Sequence, residues 1–266
     1  MTPPPSLPLQ LVCTDFDGTI HTELESPTVA QEFQDLIGEL QARGVPWVVN
    51  TGRGLADLLH EMARSKLFVA PDYLVVVERE IYRREGDRYV AHAEWNDRCA
   101  RTHEDLFAQL RPELPSWFEW VNGNFVAEVY EDPWSPFCLV AASTNDALEI
   151  VEHVEMRCRA WPEVTVVANH VYARLSHVDY HKGSALREVA GLCGAEPAGT
   201  FIAGDHWNDL PMLRRELGHW LVAPANAMDE VKLAVEAAGG WVLPGRAGRA
   251  VAAGLRRCLG ETSANG

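Results

Sequence analysis

Short apolar runs that end on acidic or hydroxyl residues alternate with amphipathic segments at both ends of this chain, and the pattern changes in its middle. That interruption constrains the fold more than any other feature. Leu9 to Thr14 is short, apolar and ends at Asp15, as a buried strand would. Val29, Phe33, Leu36, Ile37 and Leu40 recur at helical spacing, which predicts a helix from Val29 to Arg43 stopped by Gly44. Thr28 with Gln31 offers a capping box for its start. Val45 to Asn50 reads as a second strand ending at Thr51, Leu55 to Arg64 as a short helix, and Tyr73 to Val77 as a third strand. Strands alternating with helices predict a parallel sheet with covering helices.

The pattern changes near Arg83. Strands are predicted at Tyr89–Ala93, Phe125–Tyr130, Phe137–Ala142, Val164–Ala168 and Val171–Leu175, with helices at about 97–110 and 145–158. Asn169 and His170 separate the last two strands as a hairpin turn. Residues 83–175 therefore read as a separate α+β unit built on antiparallel pairing. The first pattern then returns. Helices are predicted from Lys182 to Leu192, Asn208 to Arg215 and Met228 to Ala238, and strands at Thr200–Ala203, Trp220–Ala223 and Trp241–Leu243. Residues 246–258 close with a helix, and 245–249 form the turn into it. The expected fold class is α/β, with a core of residues 1–82 and 176–266 interrupted by a domain at 83–175.

Composition narrows the partners. Asp and Glu number 38 against 23 Lys and Arg, a formal charge of −15. Such a surface repels phosphate backbones, so nucleic acid is not expected as a partner. No apolar run approaches the roughly 20 residues that span a bilayer, so no membrane partner is expected. Residues 1–10 carry four prolines and no basic residue, unlike a signal peptide, which points to a frayed cytoplasmic start. The six cysteines form no Cys-x-x-Cys pair, consistent with free thiols in a reducing compartment. None of the ten histidines is assigned to a metal.

The chemistry sits where the strands end. Asp15-Phe16-Asp17-Gly18-Thr19 follows the first strand, and ligands of open parallel sheets bind beyond the carboxyl ends of the strands. Two carboxylates at i and i+2 can hold a hard cation or divide nucleophilic and acid–base work, though an Asp-Gly turn alone is equally a solvated turn. Thr51-Gly52-Arg53 follows the second strand; it can cradle an anion or simply cap a helix. Gly204-Asp205-His206-Trp207-Asn208-Asp209 brings Asp205 and Asp209 to the same sheet edge. Four converging carboxylates repel one another unless a cation is present, which is the physical case for Mg²⁺. Lys182 opens a helix, where its charge opposes the dipole unless it faces an anion. Each signal has an ordinary structural explanation. Their joint order, three polar motifs after three strands with a lysine between the second and third, does not.

These motifs resemble the four motifs of the haloacid dehalogenase superfamily of phosphotransferases. Residues 83–175 fall where its C2-type cap is inserted, and their mixed pattern is similar to the type IIB caps of Cof-like sugar phosphatases, sucrose-phosphate phosphatases and phosphomannomutases. Asn226-Ala227 and Ile81-Tyr82 also match that group, whereas Glu78-Arg79 departs from the small Asn-Gly or Gly-Thr usual there. The resemblance implies a Rossmann-like core and Mg²⁺-dependent hydrolysis of a phosphomonoester through an aspartyl-phosphate. Asp15 would be the nucleophile and Asp17 the acid–base. Asp15, the carbonyl of Asp17, Asp205 and Asp209 would serve the metal. Thr51, Gly52, Lys182 and Asn208 would bind the phosphoryl group.

The substrate implied is a small phosphorylated metabolite, such as a sugar phosphate, handled by a monomer or homodimer. A phosphomutase and a phospho-acceptor signalling module remain open as other readings at this point. Five of nine tryptophans (95, 117, 120, 134 and 161) fall in the insertion. They either fill its core or stack on a sugar.

Overall fold

The computed structural model describes residues 8–260. In chain order the elements are β1 (Leu11–Thr14), α1 (Gln31–Ala42), β2 (Trp47–Asn50), α2 (Leu55–Arg64), β3 (Tyr73–Val76), β4 (Glu80–Glu85) and β5 (Arg88–Ala91). Then come α3 (Ala93–Leu110), α4 (Leu114–Asn124), β6 (Ala127–Tyr130), β7 (Cys138–Ala141), α5 (Thr144–Cys158), β8 (Val164–Asn169) and β9 (Tyr172–His177). The chain finishes with α6 (Lys182–Cys193), β10 (Thr200–Ala203), β11 (Trp220–Pro224), α7 (Asp229–Ala237), β12 (Trp241–Leu243) and α8 (Ala247–Cys258). Of the start read as frayed, residues 1–7 lie outside the described residues, whereas Leu9 is buried and the Gln10 N–H donates to the Gly199 carbonyl at 2.7 Å, so residues 9 and 10 are anchored rather than frayed.

The chain divides into two compact units, one made of the segments up to His92 and from Lys182 onward, the other running from Ala93 to His181. The first unit is the expected α/β core. Its eight-stranded sheet has the order β12-β11-β10-β1-β2-β3-β4-β5, parallel from β12 to β3. Every residue of β1, β2, β3 and β10 is buried. Apolar runs without alternation are what a parallel sheet covered on both faces requires. The N-terminal strand lies in the middle, between β2 and β10, so the sheet order reverses there and opens a crevice beyond its carboxyl end.

Strand pairing carries the core beyond residue 82. β4 and β5 add antiparallel strands to the sheet edge, so the compact units divide at 92/93 and 181/182 rather than at 82/83 and 175/176. The charged run 82–88 hides β4 from a hydrophobicity reading, because its outer face is solvated and mainly Ile81 is buried. Helix α1 also starts later than expected. Val29 bridges His21 in an extended conformation, the cap position falls on Ala30, and no side chain caps the helix, so the Thr28–Gln31 box does not form.

The second unit is a four-stranded antiparallel sheet of order β6-β7-β9-β8 with three helices. Trp117, Val121, Phe137, Leu139, Ile150 and Leu175 form the centre of its core. Helix α4 was not anticipated, because Pro112, Pro115 and Gly123 punctuate its sequence. Pro115 falls in the first turn, where its missing N–H costs nothing. The β8–β9 hairpin turns on His170 and Val171, with Asn169 paired to Tyr172 and His170 in the left-handed region. Trp117 is buried, and Trp120 and Trp161 pack on the core edge. None of the six cysteines forms a disulfide, and among the described residues no helix is long and apolar enough to cross a membrane.

Candidate active site

The central strand places the first motif. Thr14 pairs with Ala203 of β10, and the Asp15 N–H donates to the Ala203 carbonyl at 3.0 Å, so the loops after β1 and β10 leave the sheet side by side. Gly18 then turns the chain at φ +74°, and a Cβ there would fall 2.2 Å from Asp205 Oδ2. Only glycine lets the two loops approach this closely. Thr19 Oγ1 donates to Asp205 Oδ1 at 2.6 Å, and Asn226 Nδ2 donates to the Gly18 carbonyl at 2.8 Å while its Oδ1 accepts from Ala247 N–H.

The loop after β10 does not continue as the helix expected from Asn208 to Arg215. It forms one 3₁₀ turn, Trp207–Asp209, followed by tight turns bonded Leu210 N–H to Trp207 carbonyl and Met212 N–H to Asp209 carbonyl. Pro211 has no N–H to give a helical ladder. Asp209 is fully buried, and its Oδ2 accepts from the backbone N–H of Asp205 and of His206 at 2.8 and 2.9 Å. A Cβ on Gly204 would lie 2.6 Å from Asp209 Cβ, so that glycine too is a condition of the close packing.

Lys182, the first residue of α6, is completely buried. Its Nζ lies 2.8 Å from Asp15 Oδ1 and 2.6 Å from Asp209 Oδ1. Asn50 Nδ2 holds the Lys182 carbonyl at 2.9 Å, which ties the helix start to the end of β2. Burial opposes the lysine charge, but Asp15 and Asp209 outweigh it and raise the ammonium's pKa above its ordinary value. Burial first, and then the Asp209 and Asp205 charges, push Asp15 well above the usual carboxylate range despite Lys182. The same causes, burial and then Asp209, push Asp205 up to about 7.

Asp15, Asp205 and Asp209 each offer a carboxylate oxygen, all within 4.8 Å of one another. Hard oxygen donors, buried on Asp15 and Asp209 and partly buried on Asp205, whose mutual repulsion one lysine leaves partly uncompensated, fit a hard divalent cation such as Mg²⁺. The Asp17 carboxylate is outside this cluster. Arg53 grips it through Nε at 2.6 Å and a terminal nitrogen at 2.9 Å, and His21 Nδ1 lies 3.3 Å away. Burial alone would raise the Asp17 pKa, but the bonds from His21 and Arg53 hold it at about 2.

Thr51 and Gly52 follow β2 at the same edge. Thr51 Oγ1 accepts from Arg53 N–H at 3.2 Å. Gly52 faces Asn208: a Cβ there would lie 4.0 Å from Asn208 Nδ2 and 3.3 Å from Glu78 Oε1. The residues singled out in sequence, Asp15, Asp17, Thr51, Gly52, Lys182, Asp205, Asn208 and Asp209, thus converge on the carboxyl edge of one sheet. Arg53, His21 and Glu78 were not given roles. The spacing of His21 four residues after Asp17, and the placement of Arg53 directly after a Thr-Gly strand end, were the available signals. Glu78 was marked only by its departure from the small residues usual at that place, and its contact with Asn208 depends on how a turn folds.

The chain is similar to known proteins in sequence and in fold. The haloacid dehalogenase-like hydrolase family model matches residues 120–240. A relative from Bacillus subtilis (strain 168), named "Putative phosphatase YxeH", is 23% identical over 246 residues, covering 84% of this chain and 89% of its own. The sucrose-phosphatase of Synechocystis sp. PCC6803, solved with sucrose and phosphate, superposes with a TM-score of 0.69 at 18% identity, covering 95% of this chain and 98% of that one. BT1666 of Bacteroides thetaiotaomicron, described among phosphatases of the same superfamily, superposes with a TM-score of 0.64 at 17% identity, covering 97% and 98%. Part of the chain thus matches a haloacid dehalogenase-like hydrolase family model, and its fold is that of these solved structures.

Proposed function

We propose that this protein is a phosphatase of the haloacid dehalogenase type, which hydrolyses a small phosphorylated metabolite, a sugar phosphate, with Mg²⁺ and through an aspartyl-phosphate on Asp15. The observation that carries the reading is Lys182 Nζ within hydrogen-bond reach of both Asp15 and Asp209 at the reversal point of the sheet. The substrate class draws support from the likeness to a sucrose-phosphatase solved with sucrose and phosphate. The protein works in the cytoplasm as a monomer or homodimer. Its −15 charge disfavours nucleic-acid partners.

In the first half-reaction an Asp15 carboxylate oxygen attacks phosphorus, and the bond to the leaving alcohol oxygen breaks. Asp17 delivers a proton to that oxygen. In the second, Asp17 takes a proton from water, whose oxygen attacks phosphorus and restores the Asp15 carboxylate. For this role Arg53 has to release Asp17, because a carboxyl held at about 2 stays ionised at neutral pH. Thr51, Gly52 and Asn208 hold the phosphoryl oxygens, and Lys182 balances the negative charge of Asp15 and the phosphoryl group. Asp15, the Asp17 carbonyl, Asp205 and Asp209 hold Mg²⁺, which supplies charge neutralisation for the phosphoryl oxygens.

Phosphate release from a panel of phosphorylated sugars, polyols, nucleotides and an aryl phosphate, with Mg²⁺ and with chelator, tests the reading. Mg²⁺-dependent release favouring a sugar phosphate is expected. Isomerisation of hexose phosphates without release would instead mark a mutase, and a stable phosphoprotein without turnover a phospho-acceptor.

A further inference from the structure

The turn between β3 and β4 is built against local preference. Val77 and Glu78 have φ of +45° and +67°, a region that a β-branched residue in particular avoids. Two backbone bonds dock this turn on the loop after β2: Val77 N–H donates to the Arg53 carbonyl and Glu78 N–H to the Thr51 carbonyl, both at 2.9 Å. The Glu78 side chain is buried as a result, and Asn208 Nδ2 donates to its Oε1 at 2.8 Å. The same Oε1 would lie 3.3 Å from a Cβ on Gly52. Asn208 Oδ1 has no partner among the described residues, so the bond to Glu78 is what orients the amide.

We infer that the Glu78 carboxylate stands in the phosphoryl pocket as an internal competitor, held by Asn208 Nδ2 against Gly52, and that phosphate or a phosphoester must displace it. The inference rests on the reading of Asn208 and Gly52 as phosphoryl-binding groups. A phosphoryl dianion entering this pocket meets a buried carboxylate on the donor it needs, besides the charge of Asp15. Lys182, the cation bonded there, is already shared between Asp15 and Asp209. Glu78 therefore weakens ground-state binding and hastens release of the product phosphate. It acts on specificity and release, without a part in bond making.

The test is calorimetric titration of orthophosphate, with Mg²⁺, into the wild-type protein and Glu78→Gln, alongside the KM and kcat of each. Glu78→Gln should bind orthophosphate at least about tenfold tighter and lower KM by a similar factor, with kcat unchanged or reduced. Glu78→Asn removes the same charge and suits a positive φ, so it gives the same result if the Gln variant folds poorly. Phosphate binding that is unchanged or weaker in both variants overturns the inference and leaves Glu78 as a support for Asn208. Absence of phosphate binding in every protein overturns it together with the pocket assignment. Tighter phosphate binding by the variants, with no turnover by the wild type, would uphold it while rejecting the hydrolase mechanism.

Discussion

Lys182 Nζ sits between Asp15 Oδ1 at 2.8 Å and Asp209 Oδ1 at 2.6 Å, with the lysine and Asp209 fully buried. It joins the loop after β1 to the loop after β10 through a charge that water cannot replace. Removing it leaves two buried carboxylates unpaired, which costs about 3–5 kcal/mol. Lys182→Met should therefore lower the melting temperature markedly in chelator and abolish phosphate release. A variant that melts like the wild type would show that the lysine does not hold these loops.

The chemistry makes Asp15→Asn the sharpest substitution. It keeps the side-chain shape but removes the proposed nucleophile, and turnover should fall by at least about 10³-fold. Phosphate release at saturating substrate measures it, with circular dichroism to establish that the fold is kept. Activity near the wild-type level would reject Asp15 as the attacking group.

Without metal, Asp205 titrates at about 7 in the folded protein against an ordinary 3.8. A raised folded pKa means that the folded state binds the proton more tightly than the unfolded chain. Its stabilising contribution is complete below about 4 and is lost as pH rises through about 7. In chelator the melting temperature should fall between pH 5 and 8, and Asp205→Asn should flatten that slope. Mg²⁺ at 100 times its Kd should restore about 2.7 kcal/mol at neutral pH in the wild type. Melting curves indifferent to Mg²⁺ would count against the three-carboxylate site.

Gly18→Ala combines a left-handed backbone with a Cβ 2.2 Å from Asp205 Oδ2. The backbone strain alone costs of order 1–3 kcal/mol, and Asp205 must also shift. The variant should lose Mg²⁺-dependent stabilisation more completely than it loses fold, as thermal melts with and without Mg²⁺ would reveal. An unaltered Mg²⁺ response would mean that the loops after β1 and β10 need not touch.

In the second unit, Trp117 is 1% exposed at the centre of the core beside Phe137. Trp117→Ala should cost about 3–5 kcal/mol, read as a lowered denaturation midpoint. Trp120 stacks on His153 with ring centroids 3.6 Å apart at the core edge, and its replacement should cost less.

How much of this was legible depended on the range of the interactions. Buried parallel strands have to be short apolar runs, so β1, β2, β3 and β10 announce themselves. The polar residues that end them are read with them. Strand β4 escaped because the pairing of Leu74 with Tyr82 and Val75 with Ile81, not its own hydrophobicity, makes it a strand. The expected helix at 208–215 failed on one proline, and α4 was hidden by Pro112 just before it and by Pro115 and Gly123, which the helix tolerates.

Local patterning by itself determined that this chain is an α/β protein with an insertion, and which carboxylates, hydroxyl and lysine end up at strand ends. Those properties follow from burial and periodicity, which act over a few residues. Tertiary structure alone decided the pairings. Lys182 serves Asp15 and Asp209, Arg53 pairs with Asp17, and a strained turn sets Glu78 against Asn208. These contacts join residues 27 to 167 positions apart, and only the order of strands in the folded sheet brings them within hydrogen-bond distance.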